Sequence, residues 1–180
     1  MDQLLEQIKS CRVCENYLAL GANPVVTASA KSRIVIIGQA PGKIVHNTRI
    51  PWNDKSGDNL RQWLGIDKSV FYDTDLFALM PMGFCYPGKD KTGDLPPRPE
   101  CAPLWHGKLL AFMSDVKLIL LIGQYAQNYY LRDRTNVLSL KLFSIFSIIY
   151  LNIFPFLILR PEIISGRLKM NGLGKRFCLN

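Results

Sequence analysis

Residues 33–42 read RIVIIGQAPG, and they decide the fold. Arg33–Ile37 is a continuous apolar run of strand length, closed by Gly38. A run without alternation predicts a strand buried on both faces, as in a parallel sheet covered by helices. Two more runs share the pattern: DLFALMPM at 75–82, ending as a strand near Pro81, and KLILLIG at 117–123. Helices are expected between them. Residues 2–9 form a short one. In SGDNLRQWLGI, Ser56 is the expected N-cap, Leu60, Trp63 and Leu64 share a face, and Gly65 stops the helix. Residues 100–113 and 124–131 are further helices, whereas 85–101, CYPGKDKTGDLPPRPEC, is dense in Gly and Pro and reads as loop. Strands alternating with helices predict an α/β fold, a three-layer α/β/α domain around a short parallel sheet. Such folds bind ligands beyond the carboxyl ends of their strands. Here those ends are Gly38–Gly42, Pro81–Cys85 and Gly123–Tyr125.

A chain of 180 residues suits one domain with a sizeable core, and 48% hydrophobic content excludes a disordered chain. The net charge of +8 is unevenly placed. Residues 1–137 hold 16 Lys+Arg against 13 Asp+Glu, a balance of +3; residues 138–180 hold 6 against 1, a balance of +5. A polyanionic partner is therefore only weakly indicated by charge. The N-terminus, MDQLLEQIKSC, reads as a charged amphipathic helix and not as an apolar leader. A cytoplasmic protein is expected, whose cysteines bind metal or stay free.

Three constellations can carry chemistry. GQAPG after a strand brings backbone N–H groups close to a ligand, or makes a tight β–α turn. Trp52, in the loop RIPWNDKSG at 49–57, offers a flat face for a base or plugs the core edge. Cys11 and Cys14 form a CxxC pair, and Cys85 and Cys101 flank the Gly/Pro loop. Four thiolates suit zinc or an iron–sulfur cluster, against a reading as free buried thiols. His46, four residues after GQAPG, is within reach of the site; His106 reads as a surface or satisfied residue. Ser-His-Asp, HExxH and P-loop patterns are missing.

In order along the chain, Cys11-x-x-Cys14, IVIIGQAPG, RIPWNDKSGDNLRQWLGI, the strand running into Cys85, Cys101 and LLIGQYA resemble the uracil-DNA glycosylase superfamily in its iron–sulfur, family 4-like branch. The resemblance covers about Cys11 to Leu131. It implies a four-stranded parallel sheet and an enzyme of base-excision repair, which flips uracil out of DNA and hydrolyses its N-glycosidic bond. It also implies a structural [4Fe–4S] cluster on Cys11, Cys14, Cys85 and Cys101. The loop Gly38, Gln39, Ala40, Pro41 and Gly42 would face the nucleotide, with Met82 and Gly83 beside it, and Trp52 would stack where the family usually has Phe. Departures are evident. The best-known branch has a water-polarising Asp at Ala40, and iron–sulfur members often have Glu at Gln39. A neutral Gln39 can orient water but cannot be a general base, so the catalytic candidates are Gln39, Ala40 and His46. No Asn stands at Met80–Gly83 to read the uracil edge. His46 is the nearby group that could compensate.

The tail departs further. The family's late loop, roughly PHPSPRN, carries a histidine that stabilises the leaving anion, and no such string is present. Residues 157–163, LILRPEI, are readable one base early as Pro-His-Pro-Ser-Pro-Arg-Asn, each third base required being one that the genetic code allows. The same shift makes Leu140–Phe143 readable as Thr-Glu-Thr-Val, and Gly166 and Gly172 as Trp. The expectation is a glycosylase-like domain over 1–137 and an out-of-frame tail over 138–180, with the last strand and late catalytic loop missing or replaced and activity impaired. Two other classes compete: a catalytically inactive iron–sulfur DNA-binding module, and a protein anchored in a membrane by 137–159. The second is disfavoured by Asn152 and Pro155.

Overall fold

The computed structural model describes residues 1–91, 93–131 and 147–151. Helix α1 (Asp2–Lys9) precedes strand β1 (Ile34–Ile37). Helices α2 (Lys43–Thr48), α3 (Lys55–Leu64) and α4 (Lys68–Phe71) lead to β2 (Phe77–Leu79). Helix α5 (Cys101–Phe112), β3 (Leu118–Ile122), α6 (Gln124–Leu131) and β4 (Ser147–Leu151) complete the order. The sheet runs β2-β1-β3-β4 with every pairing parallel. Val35 pairs with Ala78 on one side and Ile119 on the other.

Side chains alternate across a strand, so each apolar run feeds two cores. Val35, Ile37, Ala78, Met80, Ile119 and Leu121 pack under α1 and α5 against Ile8, Trp105 and Leu109. Ile34, Ile36, Phe77, Leu79, Leu118 and Leu120 pack against Leu60, Leu64 and Phe71 on the opposite face. This is the expected three-layer α/β architecture.

The fourth strand qualifies the expectation that the last strand is missing or replaced. The apolar tail supplies it: Ser147–Leu151 pairs along all of β3, with Ile148 opposite Ile119. The boundary expected at 137/138 and the codon-shifted residues 157–163 lie outside the described residues. So do most of 137–159, but 147–151 within it is a sheet strand. Among the described residues no helix is long and apolar enough to cross a membrane.

Helix α3 differs from expectation in two ways. Its N-cap is Asp54, whose Oδ1 accepts the Gly57 N–H at 2.9 Å; Ser56 lies inside the helix. Its buried stripe is Gly57, Leu60, Arg61 and Leu64, which leaves Trp63 46% exposed. Arg61 takes the core position because its charge is met. Its guanidinium donates to the Trp52 carbonyl, the Tyr72 hydroxyl and Asp58. It also lies 5.1 Å from the Phe71 ring centroid.

Candidate active site

A cleft of about 530 Å³ opens at the carboxyl end of the sheet. Gly38, Gln39, Ala40, Pro41 and Gly42 line it, as does Trp52. The β1 run ends at Gly38 because the Trp52 indole occupies the space of a side chain there. A Cβ on Gly38 would lie 2.6 Å from Trp52 Cζ2. Gly57 makes room for the backbone of the same residue, since a Cβ there would lie 1.7 Å from the Trp52 carbonyl oxygen. Trp52 itself has φ 55° and Arg49 φ 59°. Two non-glycine residues in the left-handed region within four positions store backbone strain, a feature that clusters at functional sites. The indole is part wall and part core plug: Trp52 lines the cleft and packs against the core cluster on the Leu60 and Phe71 face of the sheet.

Met82 and Gly83 do not line the cleft; they hold its floor. The Met82 N–H donates to the Gly38 carbonyl at 2.8 Å, and the Gly83 N–H to the Gln39 carbonyl at 3.1 Å. Met82 is buried, and a Cβ on Gly83 would press on Pro97 at 3.0 Å. Through these backbone bonds both residues hold the GQAPG loop. His46 is not a lining residue either. It sits on α2, its carbonyl accepting from Asn23 Nδ2 at 2.6 Å and its ring centroid 6.1 Å from that of Tyr86. Its Nδ1 is buried without a hydrogen-bond partner, and burial, then Arg49, hold its pKa below the usual value. Val45, from the same helix, lines the cleft instead.

The cleft also contains residues that the sequence did not point to. Asp54 and Ser56 enter from the start of α3, and Asp94 and Leu95 from the Gly/Pro loop. Gln39 Nε2 donates to the Leu95 carbonyl at 3.4 Å. Asp54 could have been found as a capping residue; Asp94 carries no local signal, because only the tertiary fold brings its loop to Gly42. Of the other strand ends, Pro81 and Gly123 reach the cleft.

The four cysteines Cys11, Cys14, Cys85 and Cys101 share a second, smaller pocket, walled by Arg98, Trp105 and neighbouring apolar groups. Cys14, Cys85 and Cys101 are buried. Burial pushes Cys85 up to about 12 and Cys101 up to about 11. Cys14 is raised by burial and then by Glu100, whose Oε2 is 3.6 Å from its sulfur. Among the described residues no group of three or more His, Cys, Asp or Glu is arranged to hold a metal ion. All four sulfur-bearing residues nonetheless line one pocket, which gives it the composition of a four-thiolate donor set. A metal there would displace the thiol protons.

His106 is buried and satisfied, as expected of a satisfied residue rather than a surface one. Nε2 lies 3.0 Å from the Pro81 carbonyl and Nδ1 2.6 Å from the Tyr130 hydroxyl. A carbonyl only accepts, so Nε2 carries the proton and the tyrosine donates to Nδ1. The ring stacks on Phe84, and burial depresses its pKa to about 4.

The cleft lies where a parallel α/β sheet presents its strand ends, and it combines a glycine loop, an aromatic wall and carboxylates. A family model described as the uracil DNA glycosylase superfamily matches residues 25–166, from the segment before β1 to beyond β4. The chain belongs to the uracil DNA glycosylase superfamily.

Proposed function

We propose that the chain is built to excise uracil from DNA in base-excision repair, by hydrolysis of the N-glycosidic bond of a flipped nucleotide. The carrying observation is the indole of Trp52 seated on Gly38, which gives the cleft a flat aromatic wall beside the GQAPG loop. Release of free uracil from a duplex with one deoxyuridine tests this. Release from uracil but not thymine is expected, and its loss in Trp52→Ala. No release together with no preference for uracil-containing duplex in binding overturns the reading.

The finer reading places the chain in the iron–sulfur branch. The shared pocket of Cys11, Cys14, Cys85 and Cys101 supports it. The cluster would brace the segments around Cys14 and Cys85 against α5, where Cys101 begins the helix. Iron and acid-labile sulfide in purified protein test this, and zinc alone would overturn it.

The C-terminus is read as out of frame beyond about residue 138, and the chain as impaired. The seven-residue back-reading of 157–163 supports this, because it yields the histidine loop in family order. Loss of one donor to a developing anion costs about 10²–10³ in rate. Restoring the frame should raise uracil release by that factor. Coding DNA with the family motif in the same frame as GQAPG would overturn it.

A further inference from the structure

Hydrolysis of a glycosidic bond needs negative charge near a sugar that becomes cationic, and a base for the attacking water. Neither Gln39 nor Ala40 can supply it. Gln39 is instead committed as a donor. Its Nε2 donates to the Leu95 carbonyl at 3.4 Å, and a carboxylate at this position would face that carbonyl oxygen without a proton to give. The tether holds the neighbouring hairpin against the loop. In that hairpin the Leu95 N–H donates to Gly88 O at 3.0 Å and the Asp90 N–H to Gly93 O at 2.9 Å. Gly88 and Gly93 turn it with φ of 103° and 144°. Asp94 is thereby delivered into the cleft. Its Oδ2 lies 3.9 Å from where a Cβ on Gly42 would stand.

We propose that Asp94 is the catalytic carboxylate of this chain: the charge missing from positions 39 and 40 is supplied across the cleft by the hairpin that Gln39 anchors. The assignment rests on the glycosylase reading. In the step, the C1′–N1 bond breaks and its electron pair leaves on uracil. The water oxygen bonds to C1′, its proton passes to Asp94, and the uracil anion is protonated from solvent. Asp54 is the other carboxylate of the cleft, with Oδ2 3.8 Å from the same Gly42 position. Its Oδ1 already caps α3 through Gly57, so it is bound to a structural duty.

Binding by the full chain tests this without turnover. Two duplexes are compared by fluorescence anisotropy, one with a neutral tetrahydrofuran abasic site and one with a cationic pyrrolidine at that position. The wild type should prefer the cation by about tenfold or more, the size of a charge-assisted hydrogen bond. Asp94→Asn should bring the ratio near one and leave the melting curve unchanged, the ratio cancelling any change in affinity common to both duplexes. Asp54→Asn, which can still cap α3, should keep the preference. An unchanged ratio in Asp94→Asn, or a ratio lost in Asp54→Asn instead, overturns the assignment. Equal wild-type binding of the two duplexes overturns Asp94 and leaves the glycosylase reading standing. Binding of neither overturns both.

Discussion

On the Gly38–Gly57 side of the sheet's carboxyl edge, the chain leaves side chains out; on the His106 side it buries polar ones. The first side is shaped by steric need. Trp52 reaches the cleft only because Gly38 and Gly57 lack a Cβ. The second is shaped by hydrogen bonding. His106 spans from Pro81 to Tyr130 and leaves neither nitrogen unpaired. The difference teaches how a small sheet presents a site. Space is made at the cleft, and the strand exit is fixed from behind by a satisfied core histidine.

The comparison breaks first at Gly57. Helix propensity alone predicts that Gly57→Ala gains about 1 kcal/mol. A Cβ 1.7 Å from a carbonyl oxygen forces backbone to move, so we expect a loss of about 4 kcal/mol by chemical denaturation. A stabilised variant would show that the Trp52 backbone does not need that room.

On the other side, the folded pKa of His106 is depressed from 6.5 to about 4 by burial. Below pH 6.5 the unfolded chain binds a proton that the folded chain refuses until about 4. Stability contributed by the neutral ring is therefore complete above pH 6.5 and falls as pH drops toward 4, by about 3 kcal/mol in total. His106→Gln should flatten that part of the pH–stability curve. A slope unchanged in the variant would assign it to other groups.

Much of the first side was legible. The strands are apolar runs of strand length, and GQAPG had to be a turn at a sheet edge. What escaped was anything set by a partner distant in sequence. Hydrophobicity points Trp63 inward, yet Arg61 takes the stripe because Tyr72 and the Trp52 carbonyl satisfy it. Proximity in sequence points to His46, but α2 sends Val45 into the cleft. Helix α2 itself has no side-chain cap and only six residues, too little to announce itself. Asp94 depends on a hairpin held by Gln39, which no local pattern encodes.

A smaller effect measures how closely the indole is matched to its glycine. A Cβ at Gly38 meets the outer ring atoms Cζ2 and Cη2 of Trp52 at 2.6 and 3.1 Å. Phenylalanine lacks those atoms. Gly38→Ala should cost about 2 kcal/mol in the wild type and distinctly less in Trp52→Phe. Additive costs in this double-mutant cycle would mean that Gly38 answers to something other than the ring.

The smallest effect lies at the entry to α3 and separates two serviceable caps. Asp54 accepts from the Gly57 N–H, one of the donors a helix start leaves open. Asp54→Ala should cost about 1 kcal/mol in thermal denaturation, whereas Asp54→Asn keeps an accepting oxygen and should cost little. Ser56→Ala should be near neutral, because Ser56 lies within the helix and caps nothing. If Ser56→Ala costs as much as Asp54→Ala, the helix begins later. Gly57 would then no longer lie against the Trp52 backbone, and the steric account of the cleft would fail at its first residue.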